Sequence, residues 1–473
     1  MLLRPASCLV LALVCAVGAF LLGMNGCGRA IQQNSIFAGK FQHIVIIFQE
    51  NRSTDNLFHD PVLIANGADI ASSGVNSKGK KIQLSPLPLA VPFDFDHQHD
   101  AFVEMFDGGK MDGADKVKVV CIVANCPPPN PQFSYVDPAD VQPYFQMAER
   151  YTFGDRMFQT NQGPSFPAHL FIISGTSALT ATSTSFAADN GYGIAGPVLT
   201  GCISPPDETV GVVDASGKET KFVYPCTEHP ALTDELDARG ISWRYYTPTA
   251  GSVWTGPNAI KHTCGPNAPL PNATACTSAD WKNHVVIYAG TKDPAPVLAD
   301  IANHQLPQVS WVIPSGRTSD HAGNLRTTQG PSWVASVVNA IGNSSYWQNT
   351  AIIVTWDDWG GWYDHVPPFK IVNDGKSWGS GYVYGFRVPL IVISPYARPA
   401  YISHVNHDFG SILHFIEETF NLPSLGYADA YADDLSDCFS FRQKPLTFQT
   451  INAPFSASFF MHERIVDTDP DND

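Results

Sequence analysis

The sequence has few charged residues and no long run of lysine or arginine. Lys, Arg, Asp and Glu make up 15% of the 473 residues, and the formal net charge is −16. A nucleic-acid partner is therefore not expected, because no basic patch is available to follow a phosphate backbone. Internal repeats are also absent, and a hydrophobic content of 44% excludes a disordered chain and allows a large buried core.

Cysteine is infrequent, and most of it is paired in the sequence. Beyond residue 27, six cysteines form close pairs, which are Cys121 with Cys126, Cys202 with Cys226, and Cys264 with Cys276. Such pairs predict disulfides that staple loops in an oxidising compartment. None of these spacings comes with the histidines of a structural zinc site, so zinc held through cysteine is not expected. Cys438 remains, either free or paired with Cys27.

The N-terminal residues have the architecture of a secretion signal. One positive residue, Arg4, precedes an apolar stretch from Cys8 to Gly23 and then small and polar residues. We therefore interpret residues 1–27 as a signal peptide or as a lipoprotein signal, in which Cys27 would be lipidated. The apolar run is short for a membrane-spanning helix, and an uncleaved anchor is the alternative. The chain is thus expected to be exported, and to be periplasmic, secreted or anchored to the cell envelope.

Strand-like and helix-like segments alternate along the rest of the chain. Strand patterns are FQHIVIIFQEN, ISWRYYTP, LPQVSWVIP, TAIIVTWDD and RVPLIVISPYA, and helical patterns are PALTDELDARG, SWVASVVNAIGN and HDFGSILHFIEETFNLP. This alternation predicts an α/β fold with a mostly parallel sheet covered on both faces. We expect one catalytic domain over residues 28–455, with insertions near 66–92, 186–225 and 248–280, and an acidic tail over 456–473.

The segment AIIVTWDDWGGWYDHVPP contains more acidic residues than a turn requires. Asp357 and Asp358 directly follow its strand, and Asp364 and His365 come soon after them. Glu50 and Asn51 follow the strand FQHIVIIFQ in the same way. Because chemistry in parallel sheets collects at the carboxyl ends of the strands, we expect the first two pairs to meet as an oxygen-rich site for a divalent cation. The alternative is that each pair only caps the following turn.

The segment TNQGPSFPAHLFIISGTS offers a nucleophile. Ser165 follows Gly163 and Pro164 and precedes an apolar, helix-like run. At a helix N-terminus, backbone N–H groups and the helix dipole favour an anion. Beside a cation, the serine hydroxyl would ionise more easily and could attack phosphorus. The alternative is that Ser165 only caps the helix.

Five segments occur in the order found in a known family, and they are IVIIFQENRSTDNLF, GPSFPAHLFIISGTS, LPQVSWVIPSGRTSDH, TWDDWGGWYDHVPP and YGFRVPLIVISPYARPAYISH. They resemble motifs of the bacterial phosphoesterase family that includes acid phosphatases and non-haemolytic-type phospholipases C. The resemblance runs from about Gln42 to Pro423. It implies a three-layer α/β/α fold like that of alkaline phosphatase. It also implies a hydrolase whose substrate is a phosphate ester or a phospholipid.

The same resemblance implies roles for particular residues. The matched metal ligands are Glu50, Asn51, Asp357 and Asp358. Ser165 matches the Ser or Thr nucleophile of the family, which implies a phosphoserine intermediate. The family often has Asp-Glu where Asp357 and Asp358 stand, and the shorter second ligand should still reach a cation.

Three histidines are implied as further catalytic residues. His97 precedes the segment GGKMDG and His321 follows the PQVSW strand, and both match family histidines that would hold phosphate oxygens or protonate the leaving group. A further family histidine is best matched by His284, with His262 as a rival.

Two other functions remain as alternatives. A sulfatase-like ester hydrolase is suggested by Pro167, two residues after Ser165, but sulfatases have Arg where His169 stands. A catalytically inactive surface-binding protein is the second alternative, although such a protein would not need the two strand-end pairs and the serine.

The sequence also departs from the family next to the serine. The family usually has Asn where Ala168 stands, so substrate contacts from this turn are not predicted.

Overall fold

The computed structural model describes residues 35–124, 126–191, 199–214, 216–323, 328–369 and 384–463. The chain divides into two units, Met1–Ile36 and Phe37–Asp473. Only Ser35 and Ile36 of the first unit are described, so the expected signal segment with Cys27 lies outside the described residues. All helices and strands below belong to the second unit.

The second unit contains one large sheet and several small ones. Its strands are β1 (His43–Gln49), β2 (Ser73–Val75), β3 (Lys81–Gln83), β4 (Ser85–Leu87), β5 (Phe93–Phe95), β6 (Val119–Cys121), β7 (Ser134–Val136), β8 (Thr152–Gly154), β9 (Met157–Phe158), β10 (Ser185–Gly191), β11 (Val210–Asp214), β12 (Glu219–Val223), β13 (Trp243–Thr247), β14 (Val285–Ile287), β15 (Val309–Val312), β16 (Thr350–Trp356), β17 (Leu390–Ile393), β18 (Tyr401–Ser403) and β19 (His407–Asp408). The large sheet has the order β14-β13-β15-β1-β16-β17-β8-β18.

This sheet is mostly parallel, as the sequence predicts. All neighbouring pairs are parallel except the two that β17 makes with β16 and β8. The segment RVPLIVISPYA therefore forms a strand as expected, but this strand runs against the others. At the centre, β1 and β16 are adjacent and in register from His43 opposite Thr350 to Gln49 opposite Trp356. Their carboxyl ends consequently lie side by side.

The helices include those predicted from the sequence. They are α1 (Thr54–Leu57), α2 (Pro61–Ala65), α3 (His99–Phe106), α4 (Gln142–Arg150), α5 (Ser165–Ser174), α6 (Leu232–Arg239), α7 (Gly256–Ala259), α8 (Lys261–Cys264), α9 (Ala279–His284), α10 (Pro296–Ala302), α11 (Gly330–Gly342), α12 (Phe409–Phe420) and α13 (Ala457–Phe460). Short 3-10 turns occur at Asp107–Gly109, Ala114–Lys116, Ser345–Asn349, Ala428–Ala430 and Ser436–Cys438. The predicted helical patterns correspond to α6, α11 and α12.

Helices cover both faces of the sheet. On β1, the Phe48 ring packs against His169 of α5 and Phe409 of α12. On the neighbouring strand, the Trp356 ring packs against Tyr144 of α4. Phe48 and Trp356 differ by one position in register, so their side chains leave the sheet on opposite faces. The expected three-layer α/β/α arrangement is therefore confirmed.

The three predicted disulfides are present, and their sulfur atoms join Cys121 to Cys126, Cys202 to Cys226, and Cys264 to Cys276. Cys438 is buried and forms no disulfide with any described residue. In the part of the chain that the structure describes, no helix is both long and apolar enough to cross a membrane.

The start of the expected acidic tail packs against the domain. Phe460 of α13 is buried, with its ring 5.3 Å from that of Trp333. Glu463 accepts hydrogen bonds from Arg317 and Gln329. Residues 456–463 are thus part of the domain surface, and residues 464–473 lie outside the described residues.

Candidate active site

The two acidic pairs meet where the sequence predicts. Glu50 and Asn51 follow β1, and Asp357 and Asp358 follow β16. The Asn51 N–H donates to Asp357 Oδ1 over 2.9 Å, so the two loops are joined at the site itself. All four side chains are fully buried. If each pair only capped its own turn, the two loops would not need to contact each other. The hydrogen bond between Asn51 and Asp357 shows that they do.

A glycine allows the two loops to approach so closely. Gly360 has φ of +57°, and its N–H donates to Asp358 Oδ1 over 2.6 Å. A Cβ atom on Gly360 would lie 2.5 Å from the Asn51 carbonyl oxygen. A larger residue would therefore push the Asn51 loop away from the carboxylates. This accounts for a glycine two residues after Asp358.

Ser165 lies at the same place and does not act as a helix cap. It is the first residue of α5, and Pro164 occupies the N-cap position. Its hydroxyl Oγ is 3.5 Å from Glu50 Oε2 and 3.4 Å from Asp358 Oδ2. The next residue, Phe166, donates its N–H to Asn190 Oδ1 at the end of β10, which belongs to an expected insertion. The insertion therefore supports the turn that presents the serine.

His97 is also in this cluster. Its Nδ1 lies 2.8 Å from the Phe95 carbonyl oxygen, and its Nε2 lies 3.0 Å from Asn51 Nδ2. A carbonyl can only accept, so Nδ1 carries a proton, and Nε2 then accepts from the Asn51 amide. Nε2 is also 4.0 Å from Asp358 Oδ2. This histidine thus contacts both loops.

His169 is a residue that the sequence analysis did not assign to the site. Its Nε2 is 3.4 Å from Glu50 Oε1 and 4.0 Å from Asp357 Oδ2. Its Nδ1 is 3.1 Å from the Tyr245 hydroxyl, whose own proton is donated to the Trp254 carbonyl oxygen. Nδ1 therefore donates to the Tyr245 oxygen, and Nε2 faces the carboxylates. The spacing contained a signal, because His169 follows Ser165 by one helical turn.

His321 lies beside His97 at the edge of the cluster. Their ring centres are 6.0 Å apart, and His321 is fully buried. The His321 Nδ1 donates to the Ala322 carbonyl oxygen over 2.7 Å and is 3.4 Å from Asp94 Oδ2. Because a carbonyl oxygen can only accept, Nδ1 carries a proton, and the Asp94 carboxylate lies on the same side of the ring.

His284 does not reach this cluster, and its expected place in the site must be corrected. It ends α9, directly before β14, with Nδ1 2.9 Å from the carbonyl oxygen of Trp243. Trp243 begins β13, so both residues lie at the amino end of the sheet, opposite the carboxyl ends that hold the site. The rival, His262, is paired with Glu228 and Asp234 near the surface. Neither placement supports a catalytic role.

The residues of the cluster fit a divalent cation. Ligand atoms of Glu50, His169 and Asp357 lie within 4.8 Å of one another. Asn51 Oδ1 and Asp357 Oδ2 are buried and have no hydrogen-bond partner in the described part of the chain. Carboxylate and amide oxygens with one imidazole nitrogen form a donor set for several divalent ions, so the donors do not select one metal.

A second group of carboxylates lies a few residues further along the same two loops. Arg387 is fully buried and donates to both oxygens of Asp364, from Nε over 2.8 Å and from an NH2 group over 3.0 Å. The same NH2 group donates to Asp55 Oδ1 over 3.1 Å, and His365 Nδ1 is 2.7 Å from Asp55 Oδ2. These charges are balanced within the protein, so we interpret this group as structural.

Comparisons with known proteins give one family. The description "Phosphoesterase family" matches residues 41–423. The chain is 25% identical over 448 residues to phospholipase C B of Mycobacterium tuberculosis, covering 85% of this chain and 78% of that protein. It is 24% identical over 450 residues to non-hemolytic phospholipase C of Pseudomonas aeruginosa, covering 85% and 57%. A solved protein in the alkaline phosphatase superfamily from Vibrio parahaemolyticus is similar with a TM-score of 0.39 and 11% identity, over 89% of this chain and 74% of that one.

Proposed function

The chain belongs to the phosphoesterase family and is a hydrolase of phosphoric esters, and we propose that it acts through Ser165 together with a divalent cation. The observation that carries this proposal is the position of the Ser165 hydroxyl. It lies at the first residue of a buried ten-residue helix and within 3.5 Å of two carboxylates from different loops. A serine needed only for packing or capping would have no reason to contact both.

In the proposed first step, the Ser165 oxygen attacks phosphorus. The bond from Oγ to phosphorus forms, the bond from phosphorus to the leaving oxygen breaks, and the hydroxyl proton passes to Glu50 or Asp358. Because Ser165 is the first residue of α5, the dipole of this helix would stabilise negative charge on the phosphoryl group. A bound cation would favour ionisation of the serine and neutralise charge on the phosphoryl group.

The residues that would hold this cation are those of the predicted ligand set with one addition. Glu50, Asn51, Asp357 and Asp358 supply oxygens, and His169 supplies Nε2, oriented by the Tyr245 hydroxyl. An acceptor that holds the outer N–H of a metal-binding histidine is common in such sites.

The proposed acid is His321. Its Nδ1 is held by the Ala322 carbonyl oxygen and faces Asp94, so a proton on Nε2 can pass to the leaving oxygen. His97 is less able to donate a proton, because its Nε2 already accepts from the Asn51 amide. We therefore assign His97 the role of positioning the side chains of Asn51 and Asp358. In the second step, water attacks the phosphoserine, the bond to Oγ breaks, and the serine regains its proton.

The substrate is proposed only as a class. Relatives named phospholipase C support a phospholipid, and a small phosphomonoester is the other member of the class. The chain spans 57% of the Pseudomonas aeruginosa relative, so the activity of that whole protein is not transferred.

We also propose that the chain is exported. The three disulfides support this, because disulfides form and persist in oxidising compartments.

The test is a Ser165→Ala variant combined with trapping of the intermediate. Turnover should fall by about 10⁴-fold or more, as for loss of a nucleophile. The amount of metal bound per chain should stay near that of the wild type. Rapid acid quenching with ³²P-labelled aryl phosphate should leave label on the wild-type protein and none on the variant. Ser174→Ala, the same change at the other end of α5, is the control and should keep activity.

A substrate panel completes this test. Aryl phosphate, aryl phosphorylcholine, a phospholipid and aryl sulfate are compared with and without a chelator. Hydrolysis of aryl sulfate above all phosphate esters would favour the sulfatase alternative. Full activity of Ser165→Ala, or no label trapped at any time, would mean that water attacks directly and that Ser165 is not the nucleophile.

A further inference from the structure

A second cluster of metal-binding residue types lies at one edge of the large sheet. His407 begins β19, just after the edge strand β18, and Cys438 ends the 3-10 turn Ser436–Cys438, which also contains Asp437. Strand β18 is three strands away from β16, which is about 14 Å at the usual strand spacing. The cluster is therefore separate from the strand ends that hold Glu50 and Asp357.

The three side chains converge within the dimensions of a zinc site. His407 Nε2 is 3.6 Å from Asp437 Oδ1, and Cys438 Sγ is also 3.6 Å from that oxygen. One ligand atom from each residue lies within 4.8 Å of the others. Bonds of about 2.0–2.3 Å in a tetrahedron place ligand atoms roughly 3.3–3.7 Å apart. We propose that His407, Asp437 and Cys438 bind a Zn²⁺ ion.

The surroundings of His407 are those of a metal-binding histidine. Its Nδ1 is 2.8 Å from Asp433 Oδ1, and this carboxylate also accepts from the Ser411 hydroxyl over 2.5 Å. Asp433 therefore holds the Nδ1 proton and leaves Nε2 to face Asp437 and Cys438. A carboxylate on the outer nitrogen of a zinc-bound histidine is the commonest supporting contact in such sites.

Ser403 organises the opposite side of the cluster. Its hydroxyl donates to Asp437 Oδ2 over 2.6 Å and lies 3.0 Å from His407 Nε2. Zinc binding would replace the contact between Ser403 and His407 Nε2, and the Cys438 thiol would release its proton to solvent.

Cys438 differs from the other cysteines that the structure describes. The other six are joined in disulfides, whereas Cys438 is fully buried with its thiol against a carboxylate. The separation of Cys438 from His407 by 31 residues explains why no motif spacing indicates the site.

The cluster is accessible to an ion and joins two parts of the chain. The side chains of Asp437 and Asp433 are 22% and 25% exposed, so solvent reaches the carboxylate side of the site. Zinc there would connect β19, directly before α12, to the 3-10 turn that follows α12. Its role is therefore structural, and activity on phosphate esters does not depend on its chemistry.

The test uses the full exported chain, with metal removed and Co²⁺ added in its place. A cobalt ion bound to a thiolate gives a sulfur-to-metal charge-transfer absorption that oxygen and nitrogen ligands do not give. The wild type should show this absorption, Asp357→Asn and Ser165→Ala should keep it, and Cys438→Ser should lose it. Zinc content should also fall by one equivalent per chain in Cys438→Ser.

A second variant covers the case in which Cys438→Ser fails to fold. His407→Gln keeps the thiol, and zinc should raise the melting temperature of this variant less than that of the wild type. Wild-type protein without the thiolate absorption would overturn the proposal, as would equal zinc content in the wild type and Cys438→Ser. Asp357→Asn tests the first metal site. The cobalt absorption of the Cys438 site can therefore be interpreted even if the proposed phosphoester chemistry is wrong.

Discussion

Two groups of buried carboxylates lie on the same pair of loops, and they are neutralised differently. Near the strand ends, Asp357 accepts from two backbone N–H groups and lies 4.0 Å from His169. Further along, Asp364 accepts hydrogen bonds from Nε and from one NH2 group of Arg387. Burying a carboxylate is costly unless a positive charge balances it. The second group contains that charge in the protein, whereas the first group has the donor set for a cation from solution.

The largest expected effect tests the first group. Asp357→Asn keeps the volume of the side chain but removes its charge, so bound metal should be lost and turnover should fall by about 10³-fold or more. The melting temperature should change little, because the fold does not rely on this charge. Metal content by mass spectrometry and turnover of aryl phosphate are measured together.

Asp364→Asn is the matched control for this change. It lies on the same loop and is equally buried, but its charge is balanced by Arg387. It should keep the wild-type metal content per folded chain and lose stability instead. If Asp357→Asn retained its metal, the two groups would not differ in the way proposed.

The next effect tests the second group. Arg387→Met leaves the carboxylates of Asp55 and Asp364 buried without their shared guanidinium, which should lower the free energy of unfolding by about 3–5 kcal/mol. Urea unfolding followed by fluorescence measures the change. Arg150→Met is the control, because Arg150 donates to the exposed carbonyl oxygens of Gln449 and Thr450, and its loss should cost under about 1 kcal/mol. Equal losses in the two variants would contradict a special role for Arg387.

The sequence predicted the first group well and the second hardly at all. Glu50, Asn51, Asp357 and Asp358 each follow a strand with a clear apolar pattern, so local sequence was enough to place them at the same edge. The pairing of Arg387 with Asp55 joins residues 332 positions apart, and no local pattern contains it. Tertiary contacts of this kind depend on which elements become neighbours, which a single sequence does not specify.

The histidines show the same limit at shorter range. His169 was missed although its helical spacing from Ser165 was visible, because nothing in the sequence says which face of a fully buried helix meets the site. His284 was assigned to the site although it lies at the amino end of a strand. His284 is the best match to a family histidine, but it does not follow a predicted strand. The match alone therefore does not say at which end of the sheet His284 lies.

The smallest expected effect is a pH dependence confined to the second group. Burial alone would lower the pKa of His365, but the hydrogen bond and charge of Asp55, with the charge of Asp364, raise it to about 9. The folded chain therefore binds more protons than the unfolded chain between about pH 6.5 and pH 9, and stability falls as pH rises through this window. The contribution is complete below about pH 6.5 and lost above about pH 9. Because the His365 side chain is 28% exposed, solvent screening reduces it to about 1–2 kcal/mol.

The measurement is urea unfolding of the wild type and His365→Gln from pH 6 to pH 9.5. The difference in stability between them should shrink by about 1–2 kcal/mol across this range, since the variant lacks the proton that the wild type loses. His404→Gln is the control for loss of an exposed histidine, because the His404 side chain is 58% exposed. A constant difference for His365→Gln would mean that Arg387 alone balances Asp55 and Asp364. In that case the second group would depend on a permanent charge only, and its contrast with the cation-binding group would become sharper.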